Sequence, residues 1–167
     1  MKVLVTAILA VVALFAGFFF LNSYIYNEKQ AEEQSLADGE HFGFVRALVD
    51  NDTALDFDSA VWLTGEEGVE AAIRAGACTS ETREECLPND YFIENAREET
   101  QRIEVSPQVE VIMQTWEMEE NGISEQRIDV AEFAEAINTQ DLHWSSLPYT
   151  LTVQNNTVVR IEEVYIP

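Results

Sequence analysis

The hydrophobic pattern of this chain changes character once, near residue 22. From Val3 to Leu21, nineteen residues run without a charge, and only Thr6 interrupts them mildly. At about 1.5 Å per residue, a helix of that length spans about 28 Å, close to a bilayer's hydrocarbon core. Tyr24 and Tyr26 follow, where amphipathic rings favour the headgroup region, and Lys2 precedes the run. The pattern predicts a transmembrane signal-anchor over residues 1–26, with the amino terminus cytoplasmic and the remaining chain exported. A cleaved signal peptide is the alternative. Its apolar core would normally be shorter, about 7–15 residues, and end at small residues. Here the small residues lie inside the run or beside bulky neighbours.

Residues 27–40 carry almost no large apolar side chain and read as a polar linker. From His41 the apolar positions become periodic, which predicts an extracytoplasmic domain over 41–167. His41–Val49 reads as a strand, and Asp50-Asn51-Asp52-Thr53 as a turn. Ala54–Leu63 alternates, with Leu55, Phe57, Val61 and Leu63 on one face and Asp56 and Asp58 on the other. Thr64 and Glu67 have the form of a capping box that opens a helix over Val69, Ala72 and Ile73, with Gly76 as its stop. Strands follow at Tyr91–Asn95, Arg102–Val105 and Val109–Met118, with Pro107 as a break. Asp129–Asn138 is a second helix, with Asp129 and Glu132 as its cap. Leu147–Val153 and Val158–Ile166 close the chain as a hairpin around Asn155-Asn156. The sum is α+β: about seven mostly antiparallel strands in a curled sheet or small barrel, with two short helices packed over it.

Charge narrows the possible partners. All 31 acidic residues lie after the anchor, against Lys29 and seven arginines. A domain this negative repels phosphate backbones and anionic headgroups, which excludes nucleic acid as a partner class. It suits a cationic surface or divalent ions, or it simply keeps the domain solvated, as in a saline habitat. Cys78 and Cys86 are the only cysteines. Their spacing is unlike a redox C-x-x-C pair and no histidine lies nearby, so a disulfide staple is expected on the exported side. Closing that loop would contribute about 2–3 kcal/mol.

Candidate chemistry is sparse, and no cofactor motif or metal-ligand cluster is visible. Asp56 and Asp58 share one strand face about 7 Å apart, and Glu162 is a conceivable third carboxylate for calcium or acid–base work. An EF-hand is excluded, because its glycine and terminal glutamate positions hold Leu55 and Val61. Trp62, Trp116 and Trp144, with Tyr91, Tyr149 and Tyr165, are candidates for an aromatic platform or for the core. Asp56, Asp58 and Trp62 together form the candidate binding face. His143, followed by Ser145 and Ser146, is the candidate base of a hydrolase, although no nucleophile elbow accompanies it.

Several blocks recur in order: His41-Phe42-Gly43, Asp56-Phe57-Asp58, Trp62-Leu63-Thr64-Gly65-Glu66-Glu67, Pro88-Asn89-Asp90-Tyr91-Phe92-Ile93-Glu94-Asn95 and Ile161-Glu162-Glu163-Val164-Tyr165-Ile166-Pro167. Over residues 40–167 the chain resembles a group of small uncharacterised bacterial proteins, exported or membrane-anchored, with an acidic ectodomain. The resemblance implies an envelope location and carries over no site residue. The resulting expectation is a single-pass, non-enzymatic binding or scaffolding module whose partner is an envelope protein or a cationic or calcium-bearing surface. An extracytoplasmic hydrolase using His143 or the Asp56/Asp58 face is the alternative.

Overall fold

Strand closure is the central event of this fold. The computed structural model describes residues 36–79, 82–96, 99–139 and 143–166. The Val3–Leu21 run expected to be an anchor and the expected linker through residue 35 lie outside the described residues. Among the described residues no helix is long and apolar enough to cross a membrane. The folded unit begins earlier than the periodicity suggested, because Leu36 packs against the core and the first strand starts at Gly39.

Two hairpins make most of the sheet. Strands β1 (Gly39–Val49) and β2 (Ala54–Ser59) are antiparallel. Asp50, Asn51 and Asp52 between them all hold left-handed backbone angles, which short polar side chains tolerate. After β3 (Val61–Thr64), β4 (Tyr91–Glu94), β5 (Thr100–Met113) and β6 (Gln126–Ile128), the chain ends in β7 (Pro148–Gln154) and β8 (Thr157–Glu163). Asn155 and Asn156, both at positive φ, make the turn of the last hairpin. The order β2-β1-β7-β8-β5 closes on itself, because β5 also pairs with β2. The result is a five-stranded barrel in an α+β domain, with β6 added along the far end of β5 and β3–β4 as a separate ribbon.

Two strand expectations need correction. The chain does not break at Pro107: β5 runs through it for 14 residues. Its first half pairs with β2 and its second half runs parallel to β8. Pro107 sits where the β5–β8 register shifts, between Val105 and Glu110, so its missing N–H costs no ladder bond. Ala54–Leu63 is two strands. At Ala60, whose N–H donates to the Phe42 carbonyl at 2.9 Å, the chain leaves the barrel and pairs with β4 instead. The alternation resets there, so Leu55 and Phe57 are fully buried while Val61 is 52% exposed.

The helices are α1 (Gly65–Arg74), α2 (Arg83–Cys86), α3 (Met118–Asn121), α4 (Val130–Asn138) and α5 (His143–Ser146). Thr64 precedes α1 as expected, but its side chain makes no capping bond. The α1 stop is as expected: Gly76 is left-handed, and the Gly76 and Ala77 amides donate to Ile73 and Ala72. Helix α4 carries a full capping box from Asp129 and Glu132. Phe133 and Ile137 of α4 complete the barrel's apolar core, with Phe133 edge-on to Tyr149. Asn138 at the end of α4 bonds both the N–H and the C=O of Leu48, at 3.0 and 2.8 Å. Beyond Phe44 the strand β1 has no β7 partner, so this amide satisfies backbone groups that a neighbouring strand would otherwise occupy. The three helices α2, α3 and α5 are single turns of four residues, too short to leave a periodic signal. A second small core joins α1 to α2 through Val69, Ala72, Cys86 and Leu87. The Cys78–Cys86 disulfide, with a Cα–Cα separation of 5.3 Å, ties it together.

Candidate binding cleft

Near the carboxyl-terminal end of β5 and β8, two buried polar anchors, Glu163 and Tyr149, and the half-buried Arg46 shape a cleft. Glu163 closes β8 and is 1% exposed. Its carboxylate accepts the Gln114 and Thr115 amides at 2.8 and 3.1 Å and the Thr115 hydroxyl at 2.6 Å. A buried carboxylate held by three donors is tolerable where a bare one is not. Those bonds fix the segment that leaves β5 and so place Trp116. On the opposite wall, the Tyr149 hydroxyl donates to the Trp144 carbonyl at 2.9 Å, and Arg46 Nη1 donates to the Ser145 carbonyl at 3.1 Å. Helix α5 is therefore held by its carbonyls. Burial, and after it the Glu163 carboxylate, push the Tyr149 hydroxyl above the ordinary tyrosine range.

The indoles of Trp116 and Trp144 meet at 5.0 Å between ring centroids, tilted by 40°, within the range of favourable aromatic pairing. Both also pack on the barrel core. With Leu147, Tyr165 and Ile166 they line a cleft of about 640 Å³. Its lip is the α3 turn, with Glu117, Met118, Glu119 and Glu120, and His143 also lines it. A second hollow of about 660 Å³ runs along α1. That hollow is lined by one helix and Arg83, without an aromatic group. Convergent aromatic and polar groups from separate segments mark the first cleft as the better candidate.

The expected face at Asp56, Asp58 and Trp62 is assembled differently. Asp56 and Asp58 do share the outer face of β2, but each holds an arginine. Arg46 reaches Asp58 Oδ2 from Nε at 3.1 Å and Nη2 at 2.7 Å, and the Asn95 amide adds a bond at 2.9 Å. Asp58 is 1% exposed, so it is not on the solvated surface that alternation suggested. Arg102 grips Asp56 with bonds of 2.9 and 3.2 Å. Trp62 stacks on Tyr91 at 4.0 Å and takes the edge of Phe42 at 5.7 Å. Glu162 does not join the two aspartates. It pairs with Ile112 at one end of β5, whereas Asp56 pairs with Arg102 at the other. Among the described residues no group of histidine, cysteine and carboxylate side chains is placed to hold a metal.

The six aromatic candidates thus divide. Trp62 and Tyr91 cover the outer face of β1, Tyr149 belongs to the core, and Trp116, Trp144 and Tyr165 meet in the cleft. The candidate base His143 lies edge-on to Trp144 at 4.8 Å. Ser146, however, donates its one hydroxyl proton to the His143 carbonyl at 2.7 Å, a bond internal to the turn. Glu163 and Arg46, which build the cleft, carried no signal of their own in the sequence. A signal that could have pointed to the lip is Met118 among the three glutamates Glu117, Glu119 and Glu120, next to Trp116. No protein-family model matches the chain, and no similar curated protein or solved structure was found.

Proposed function

We propose that this chain is a single-pass membrane protein, amino terminus cytoplasmic, that presents its barrel domain outside the cytoplasm as a non-enzymatic binding or scaffolding module. The observation that carries the reading is the cleft: an aromatic floor of Trp116 and Trp144, held by buried polar anchors, beside a carboxylate lip. Pre-organised aromatic surface next to charge is the usual make-up of a recognition site. The apolar Val3–Leu21 run and Lys2 before it support the anchor and its orientation. The Cys78–Cys86 pairing supports an oxidising compartment.

Site-specific photo-cross-linking tests this. A photoreactive residue at Met118, half-exposed on the lip, should capture one reproducible protein in intact cells, and Trp144→Ala should abolish the adduct. The same probe at Ile73, on the exposed side of α1, should capture nothing in common. Identical adducts at both positions would refute the cleft as the binding site. Because His143 lines the same cleft, the hydrolase reading has its own assay. Turnover in a panel of peptide, ester and glycan substrates that disappears in His143→Ala would replace the binding module with an enzyme.

A further inference from the structure

The titratable groups lining the cleft are mainly acidic, with His143 as the one basic side chain among them. Four glutamates contribute to its lining, Glu163 beneath and three on the lip, and no lysine or arginine does. Every arginine among the described residues is engaged in an ion pair elsewhere: Arg46 with Asp58, Arg74 with Glu94, Arg83 with Asp90, Arg102 with Asp56, and Arg127 and Arg160 with Glu110. No lysine occurs after Lys29. Among the described residues no lysine or arginine therefore reaches the Glu119 and Glu120 lip, and Trp116 and Trp144 line the same cleft.

That combination selects one side-chain chemistry. A guanidinium is planar and weakly hydrated, so it stacks on an indole and meets carboxylates through paired N–H donors at the same time. An ammonium is compact and strongly hydrated, and uses only the charge. Met118, 50% exposed between the glutamates, offers apolar contact to the methylene stem of a long cationic side chain. The cleft is open and much larger than one guanidinium, which leaves room for backbone on either side. Nucleic acid and anionic lipid are repelled by the same lip that attracts the cation.

We infer that the cleft holds an arginine side chain carried on a basic segment of a partner protein, its guanidinium over the Trp116–Trp144 floor and paired with Glu119 and Glu120. The inference rests on the binding-module reading and names the partner's chemistry. The test is calorimetric titration of the full-length chain in neutral detergent micelles. The probe is a short capped peptide in which arginine alternates with glycine and serine, compared with its citrulline and lysine counterparts. The arginine peptide should bind, the citrulline peptide should not, and the lysine peptide should bind several-fold more weakly. Trp144→Ala should weaken binding about tenfold, and Trp144→Phe, which keeps a ring, should retain most of it. The lip variant Glu119→Gln with Glu120→Gln should also lose about tenfold.

Because the whole domain is acidic, the deciding control removes the same charge elsewhere. Glu66→Gln with Glu67→Gln on α1 should change affinity by less than about twofold. Equal losses from α1 and from the lip would overturn the inference in favour of general charge attraction. Undiminished binding in a folded Trp144→Ala protein would overturn it as well. If the arginine peptide does not bind while the Met118 cross-link still captures a protein, the arginine inference fails and the binding module stands. If the peptide binds in the cleft and no protein is captured in cells, the scaffolding reading fails instead.

Discussion

Tyr149 serves the core and the cleft at once. Its ring is fully buried against Phe133, and its hydroxyl holds the Trp144 carbonyl. Burial and Glu163 raise its pKa, so the folded state favours the protonated phenol more than the unfolded chain does. The contribution is fully present below the ordinary tyrosine value of about 10 and is lost as pH rises through and beyond it. Stability against urea should therefore fall steeply above about pH 10, and Tyr149→Phe should flatten that slope while costing about 1 kcal/mol at neutral pH. An unchanged alkaline slope would clear Tyr149. The two aspartates of β2 offer a contrast at the same scale. Asp58→Ala leaves Arg46 without its carboxylate and should lower stability by about 2–3 kcal/mol at unchanged denaturant slope. Asp56→Ala, which opens an exposed pair, should leave the urea midpoint almost where it was. Alternation placed both residues on the outer face correctly. It could not register that Arg46 sits in a β-bulge between Val45 and Ala47, and that the bulge aims its side chain at Asp58.

Among the elements, two helix starts looked equivalent as sequence. Thr64–Glu67 and Asp129–Glu132 share the capping-box spacing, but only Asp129 makes the bonds, with the Ala131 amide at 2.8 Å and its own N–H to Glu132 at 3.2 Å. Asp129→Ala should cost about 1 kcal/mol, whereas Thr64→Ala should be nearly silent in the same thermal or urea melt. Comparable losses would mean that the Thr64 cap forms in solution. Elements whose signals are local were legible: both hairpin turns, the Gly76 stop, the capped helix α4 and the cysteine staple. What escaped reading is set by partners far away in the chain. Pro107 is tolerated only because β8 changes register beside it. The three residues of β6 form a strand only because the far end of β5 is there to pair with them. The cleft was half legible. Trp116, Trp144, Tyr165 and His143 were all candidates, but their convergence depends on Glu163 and Arg46.

For the whole molecule, charge is the dominant global property. A formal net charge of −22 makes the compact state repel itself, and salt screens that repulsion. Added sodium chloride should raise the melting temperature over the range where the Debye length shrinks from about 30 to about 10 Å. A flat or falling curve would mean that the ion pairs at Asp56, Glu94 and Glu110 outweigh the diffuse repulsion. The barrel's closure has a consequence for time as well as for stability. β1 takes β7 as its neighbour, with Gly39 opposite Val153, and β5 meets both β2 and the last strand β8. No vectorially emerging portion can shut the barrel until β8 has appeared, so the first hairpin must wait with open edges. Such long-range closure is kinetically slow and leaves unpaired strands exposed to other chains. The dense negative charge along those waiting strands and loops would then act as a guard against aggregation during synthesis, a role that ends once the last hairpin docks.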